Sequence, residues 1–306
     1  MLFPMPELPE VQTIVSDLRK KILGEKITGF WTNTPKIIKG VTLNKFKKEI
    51  LGFLILDIRR RGKNILFYLG KIQKGKKKIE KVILAHQKMT GHFLIGKWKV
   101  AGKGKSQKIT PLIKGPIAKD PFNQYIRAIF NLSSGWQLGL SDLRKFAKLT
   151  VGSVEEIENS KEMRSLGPEA LSSEFSWRYL YPLLLKKKKS IKSVLLDQEI
   201  VAGVGNIYAD EALFLAKIHP QKNASTLKID QVKKLVQAIK KVLRKSIALR
   251  GTSIIDYRDA FGRRGGYDKV CLVYGREGLP CPSCSTPIKR IKIGQRSAHF
   301  CPRCQK

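Results

Sequence analysis

The sequence predicts an α+β fold: a β-sandwich led by one helix, then a helical half that closes in a zinc β-hairpin. Three observations carry this. Near the start, apolar residues recur at helical spacing in a single stretch. Short β-rich segments punctuated by Gly, Asn and Ser then run to about residue 140. Helical spacing returns after Thr150, and the chain ends in two Cys-x2-Cys pairs.

Taken in order, Val11, Ile14, Val15, Leu18 and Ile22 share one face of a helix over 10–23. Segments 27–31, 53–59, 64–69, 81–86, 92–95, 127–132 and 136–140 are short and β-rich, as in a sandwich or barrel. Ser133-Ser134-Gly135 supplies a hairpin turn between the last two. Two stretches rich in Lys and Gly, 71–81 and 97–119, have no periodicity and are expected to be mobile surface loops. Helices are expected over 177–185, 191–196, 207–215 and 229–249, followed by a Gly- and Arg-rich loop over 250–270. The expected units are therefore a sandwich over 6–148, a helical domain over 149–270 and a zinc module over 271–306, with 1–5 as an extension.

The closing pattern is Cys281-x2-Cys284-x16-Cys301-x2-Cys304. Two such pairs at this spacing read as four thiolates around one structural Zn2+, because each pair bends both sulfurs toward one ion. With all four positions filled by protein, no place remains for a catalytic water, so the ion shapes the chain and does not react. Neither pair has the strand-to-helix setting of a redox Cys-x2-Cys. Cys271 is expected to be a plain buried thiol. The N-terminus shows no basic stretch followed by an apolar core, so no secretory signal is read and a cytoplasmic location is expected.

Charge narrows the partner. Sixty Lys and Arg face 24 Asp and Glu, a net +36 over 306 residues, and residues 1–150 already hold 31 basic against 9 acidic groups. A positive field across the whole folded body excludes an ordinary metabolic enzyme and favours a polyanion. Nucleic acid outranks an anionic membrane, because no amphipathic basic helix or long apolar run is present.

An ordered set of motifs then names a reaction class. Met5-Pro6-Glu7-Leu8-Pro9-Glu10-Val11, Arg61-Gly62-Lys63, His86-x2-Met89-x-Gly91, Asp142-x-Arg144-x-Phe146, Leu166-Gly167-Pro168-Glu169, Asp197 through Glu211 and Gln295-Arg296-Ser297 follow one another along the chain. Together they resemble the formamidopyrimidine-DNA glycosylases, bacterial enzymes that excise oxidised purines, within the wider family that includes endonuclease VIII. The resemblance implies a monomeric, zinc-containing DNA glycosylase and abasic-site lyase with a helix-two-turn-helix in its second domain. Its partner would be double-stranded DNA carrying oxidised bases or abasic sites.

It also implies roles. The family's nucleophile is the proline left by removal of the initiator Met, here Pro6. An N-terminal amine titrates near 8 against about 10.4 for lysine, so far more of it is neutral near pH 7. As a secondary amine it forms a charged iminium with the sugar, an electron sink for strand scission. Met1-Leu2-Phe3-Pro4 precede Met5, and an amine at Pro6 requires translation from Met5 or removal of this extension. Glu7 would shuttle protons, Lys63 would donate in β-elimination, and Arg296 would grip the phosphates at the lesion. Base extrusion leaves a hole in the stack, and Met89, Arg144 and Phe146 match the residues that fill it. Tyr125 and Arg127 stand where the family commonly has two histidines, and both retain a donor. Lys187, Lys192 and Asn206 match positions that contact the DNA backbone, with Gly203 and Gly205 letting backbone N–H groups approach a phosphate. Segment 251–267 matches the loop that closes over the extruded base. Ala298 and His299 replace the usual Thr and aromatic residue beside Arg296. Two alternatives stay open: an endonuclease VIII-like preference for oxidised pyrimidines, against which Leu8 stands where that branch has Gly, and a non-catalytic DNA-binding paralogue.

Overall fold

The computed structural model describes residues 5–102 and 107–306, so the first four residues of the expected extension and part of the 97–119 stretch lie outside the described residues. The expected first helix is α1 (Leu8–Ile22), with Glu7 as its N-cap and Pro9 in its first turn. Its apolar stripe, from Val11 to Ile22, packs into the sandwich core.

Strands β1 (Ile27–Thr32) and β2 (Ile38–Lys39) come next, then helix α2 (Leu43–Ile50) and strands β3 (Leu54–Arg61), β4 (Asn64–Gln73), β5 (Lys76–His86) and β6 (Gly91–Gly96). After β7 (Trp98–Ala101), β8 (Lys108–Pro111) and the single turn α3 (Pro116–Lys119), strands β9 (Ile126–Leu132), β10 (Gln137–Asp142) and β11 (Lys148–Gly152) complete the half. One sheet runs β1-β9-β10-β6 and the facing sheet β2-β11-β5-β4-β3, antiparallel except where β2 meets β11. Between them Phe30 meets Phe130 edge-on at 4.7 Å and Phe67 meets Phe93 at 5.4 Å, an arrangement aromatic rings favour.

The expected loops depart from the sequence reading. Residues 71–81 are the outer rungs of the β4/β5 hairpin, paired to Gln73 and Lys76 around a Lys74-Gly75 turn with both φ positive. That is the two-residue turn whose twist suits a hairpin. Part of 97–119 is also ordered: β7 and β8 pair, and Trp98 is buried against Ile117 and Ile126.

The helical half holds short α4 (Val154–Glu158) and α5 (Lys161–Arg164), then α6 (Trp177–Leu185), α7 (Ile191–Leu195), α8 (Asn206–Leu215) and α9 (Ile229–Ala248). Leu180, Leu195, Leu213 and Leu235 contribute to its own core. Hairpin β12 (Lys289–Ile293) and β13 (Arg296–Phe300) follows. The two halves interlock, because Leu8 belongs to the helical core while Tyr257 and Ala260 belong to the sandwich core. Among the described residues no helix is long and apolar enough to cross a membrane.

Strand register decides where function can sit. Arg61 pairs with Asn64, Asn64 with His86, and His86 with Lys148, so the 62–63, 87–90 and 143–147 turns share one end of the sandwich. Gly91 opposite Asp142 and the Asp142 N–H donated to the Tyr125 carbonyl at 2.8 Å bring the second sheet to the same end.

Candidate active site

Pro6 and Glu7 are buried where this end of the sandwich meets α8. The Glu7 N–H donates to the Glu10 carboxylate at 2.8 Å, which fixes the start of α1. The Glu7 side chain reaches across to the other half: Oε1 accepts the Ile207 N–H at 3.0 Å in the first turn of α8. Its Oε2 is buried with no hydrogen-bond partner. Burial lifts the Glu7 carboxyl to about 7, with Lys63 pulling it down and Glu10 pushing it up. A carboxyl that both holds and releases its proton near neutral pH is suited to proton transfer.

The glycines of the α7/α8 turn serve this carboxyl. A Cβ on Gly205 would lie 2.2 Å from Glu7 Cδ, and one on Gly203, whose φ is +100°, would lie 2.5 Å from Leu8 Cδ1. Their absent side chains admit the start of α1, a role distinct from the phosphate approach expected of them. Gly205 is the N-cap of α8 and Asn206 its first residue, so Asn206 does not make the cap expected of it; the Glu7 carboxylate takes the first-turn Ile207 N–H instead. Asn206 remains partly exposed beside Glu7.

Lys63 is the second residue of the two-residue β3/β4 turn, with Gly62 at φ +56°. It is buried, and desolvation lowers its pKa while Glu7 raises it and Arg296 lowers it further. Glu169 sets the turn: it takes the Gly62 N–H at 2.5 Å, pairs with Arg61 at 3.3 Å and also binds Arg60. Its motif was visible in the sequence, but this task was not.

Arg296 opens β13 opposite Ile293 and is exposed. Lys192 corrects an expectation. It is 0 % exposed, its Nζ lying 2.6 Å from Asp210 Oδ1 and 2.5 Å from the Ser297 carbonyl, and so it has no face to offer a phosphate. Asp210 Oδ2 also accepts the His299 N–H at 2.8 Å, so this buried pair ties α7 and α8 to the strand that carries Arg296. Lys187, by contrast, is partly exposed just beyond α6.

Met89, Arg144 and Phe146 come together at this end of the sandwich. The Arg144 guanidinium lies 4.6 Å from the Phe146 ring centre and its Nη1 3.2 Å from Met89 Sδ. Phe146 is 47 % exposed, which a core residue would not be. Asp142 holds the turn, accepting the Arg144 N–H at 3.1 Å and the Ala147 N–H at 2.8 Å. Tyr125 lies at this end, partly exposed, with the Arg127 guanidinium 5.8 Å from its ring centre.

At the far end of the chain the sulfurs of Cys281, Cys284, Cys301 and Cys304 all lie within 4.8 Å of one another. Tetrahedral Zn–S bonds of about 2.3 Å place sulfurs about 3.8 Å apart. The Cys281–Cys304 pair at 3.9 Å and the Cys284–Cys301 pair at 3.4 Å fit one structural zinc ion. Cys271 is buried, as expected.

A sandwich joined to a helix-two-turn-helix domain and closed by a zinc hairpin is the architecture of a DNA glycosylase of base excision repair. Three family models match the chain. The formamidopyrimidine-DNA glycosylase N-terminal domain matches residues 5–149, its H2TH domain matches 166–258, and the zinc finger found in FPG and IleRS matches 278–306. The formamidopyrimidine-DNA glycosylase of Carboxydothermus hydrogenoformans is 39% identical over 99% of this chain and 100% of its own. That of Pelotomaculum thermopropionicum is 37% identical over 99% of each. Among solved structures, a Lactococcus lactis FPG mutant bound to Fapy-dG DNA superposes with a TM-score of 0.83 at 32% identity, covering 98% of this chain and 100% of that one. The chain belongs to the formamidopyrimidine-DNA glycosylase family.

Proposed function

We propose that this protein removes oxidised purines, 8-oxoguanine and formamidopyrimidines, from duplex DNA and then nicks the strand as an abasic-site lyase, acting as a monomer in the cytoplasm. The observation that carries the reading is the Glu7 carboxyl, buried next to Pro6, lifted to about 7 and bearing one unpartnered oxygen. The match of the N-terminal domain from residue 5 supports Pro6 as the mature first residue.

The free Pro6 nitrogen attacks C1′ of the flipped nucleotide, and the base departs with its bonding electrons and takes up a proton. Glu7 protonates the ring oxygen, so that the opened sugar carries a Pro6 iminium. Loss of the C2′ proton sends its bonding electrons into that sink and expels the 3′ phosphate, a second elimination expels the 5′ phosphate, and water then hydrolyses the iminium to free the Pro6 amine. Lys63 stands beside Glu7 to donate and accept protons, while Arg296 holds the phosphates. Zinc takes no part beyond holding the β12/β13 hairpin.

Borohydride trapping on 8-oxoguanine duplex tests this with protein that starts at Pro6. A covalent complex is expected, together with its loss in protein whose Pro6 remains linked to Met5. Equal trapping by both forms would reject the Pro6 amine, and DNA binding without nicking would favour the non-catalytic reading. A Lactococcus lactis relative has been crystallised with DNA containing an oxidised pyrimidine, so thymine glycol belongs in the lesion panel.

A further inference from the structure

A cavity of about 10 Å³, room for about one water, lies against Pro6, walled by Ile207 and by the segment that follows α9. The polar side chains on that wall differ in one respect. Glu10 is saturated, accepting from the Tyr208 hydroxyl at 2.5 Å, the Thr252 N–H at 2.7 Å and the Glu7 N–H at 2.8 Å. Thr252 Oγ1 bonds the Tyr208 hydroxyl at 2.7 Å, and the Tyr257 hydroxyl donates to the Glu10 carbonyl at 3.3 Å. Asp256 is 4 % exposed, and its Oδ2 has no hydrogen-bond partner. A buried carboxylate oxygen left unpaired is costly in a folded protein and marks a place where donors from elsewhere are awaited.

The segment is built to present it. Ser253 Oγ donates to the Tyr257 carbonyl at 2.7 Å and accepts the Gly265 N–H at 2.8 Å, while Arg258 grips the same Tyr257 carbonyl at 2.6 Å and Asp120 at 2.6 Å. Residues 254–256 therefore span two pinned ends, with Ile254 exposed. Met5 is a further wall of this cavity and is missing from protein that starts at Pro6; no base fits the cavity with Met5 in place, so a base enters when Met5 is gone and the 254–256 span gives way, with Asp256 on its edge. Burial raises the Asp256 carboxyl to about 6, with Arg258 and Arg144 among the groups that oppose the rise, so it is an anion at neutral pH.

Stereochemistry fixes what arrives there. When the Pro6 nitrogen approaches C1′ from the face opposite the base, the base on that carbon comes within a few ångströms of Pro6, in reach of the span that walls the cavity. We propose that Asp256 reads the extruded base, its carboxylate accepting hydrogen bonds from the adjacent N1–H and exocyclic amino group of a guanine-derived lesion. Two parallel N–H donors match a carboxylate bidentately. The Watson–Crick edges of adenine, thymine and cytosine lesions present no such adjacent pair. The inference rests on the reading of Pro6 as the nucleophile.

The test uses protein starting at Pro6, wild type and Asp256→Asn, on three duplexes: 8-oxoguanine, 8-oxohypoxanthine and a preformed abasic site. 8-oxohypoxanthine is the same lesion without the exocyclic amino group. Wild type should excise 8-oxoguanine at least about tenfold faster than 8-oxohypoxanthine, since a site built for a donor rejects the analogue that lacks it. Asp256→Asn should lose that preference, with 8-oxoguanine excision falling about tenfold more than abasic-site incision. Equal loss on all three duplexes would overturn the inference and assign Asp256 to the Pro6 nitrogen or to the fold. Absence of a wild-type preference, or an unaltered Asp256→Asn profile, would also overturn it. Failure of wild type on the abasic duplex would instead reject the Pro6 reading on which it stands.

Discussion

Glu7 shows how a single residue can be set against stability. Its carboxyl is raised from an ordinary 4.5 to about 7, chiefly by burial, so the folded state holds this proton more tightly than the unfolded chain does. Where the folded state binds more protons, stability falls as pH rises, here across the window from about 4.5 to 7. At about 1.4 kcal/mol per pH unit the cost above pH 7 is on the order of 3 kcal/mol, with the attraction to Lys63 already contained in the shift. Glu7→Gln keeps an oxygen for the Ile207 N–H and removes the titration. It should therefore melt higher than wild type at pH 8, with a gap that narrows toward pH 5, while base excision is lost. Calorimetry at the two pH values checks the sign, and a variant less stable at pH 8 than at pH 5 relative to wild type would contradict the burial argument. Lys187 and Lys192 make the complementary point. The same residue type five positions apart ends partly exposed in one case and sealed against Asp210 in the other, and nothing in the local sequence distinguishes them. The difference is set by where α8 and β13 pack, which is long-range information.

At the scale of elements, legibility follows the strength of the local signal. Helix α1 was readable because its apolar stripe repeats every turn, and the zinc module because thiolate spacing is chemically restrictive. The outer β4/β5 rungs were not, since both faces there are exposed and lysine-rich, leaving no alternation to read. They are strands because inner rungs already in register extend outward through backbone pairing, and Lys74 occupies the positive φ that Asn or Gly usually announces. The α7/α8 turn has the glycine pattern of a phosphate-binding turn, yet its glycines make room for Glu7 and Leu8. Gly205→Ala tests that reading. A Cβ 2.2 Å from Glu7 Cδ forces the carboxyl off Ile207, and misplacement on the order of 1 Å costs about 100-fold in rate. Incision should drop by about that factor while zinc content and affinity for undamaged duplex stay near wild type. Single-turnover incision beside metal analysis decides it; a fully active variant would mean that the carboxyl acts from another position.

The whole molecule separates two kinds of positive charge. Net +36 names a polyanion, yet the register of the sheets gathers Lys63, Met89, Arg144 and Phe146 at one end of the sandwich. Lys71, Lys74, Lys76, Lys77 and Lys78 lie at the other, all exposed, where β4 and β5 turn back. Strand β4 is ten residues long, and at about 3.3 Å per residue the tip stands roughly 30 Å from Lys63. That is about three Debye lengths at 0.1 M salt, so these five charges barely register at Lys63. Replacing all five with Gln lowers the net charge from +36 to +31. On a duplex of about 13 base pairs it should leave both incision rate and the salt dependence of binding within error of wild type. Lys187→Gln, changing one charge on the helix-two-turn-helix side, should lower the slope of log K against log salt by about 1, the signature of one lost phosphate contact. Salt titrations of the two variants therefore weigh position against number. If the five-lysine variant lost several units of slope on so short a duplex, the DNA would have to run along the sandwich toward the hairpin tip, and the end of the sheets that holds Lys63 would not be the only surface that grips it.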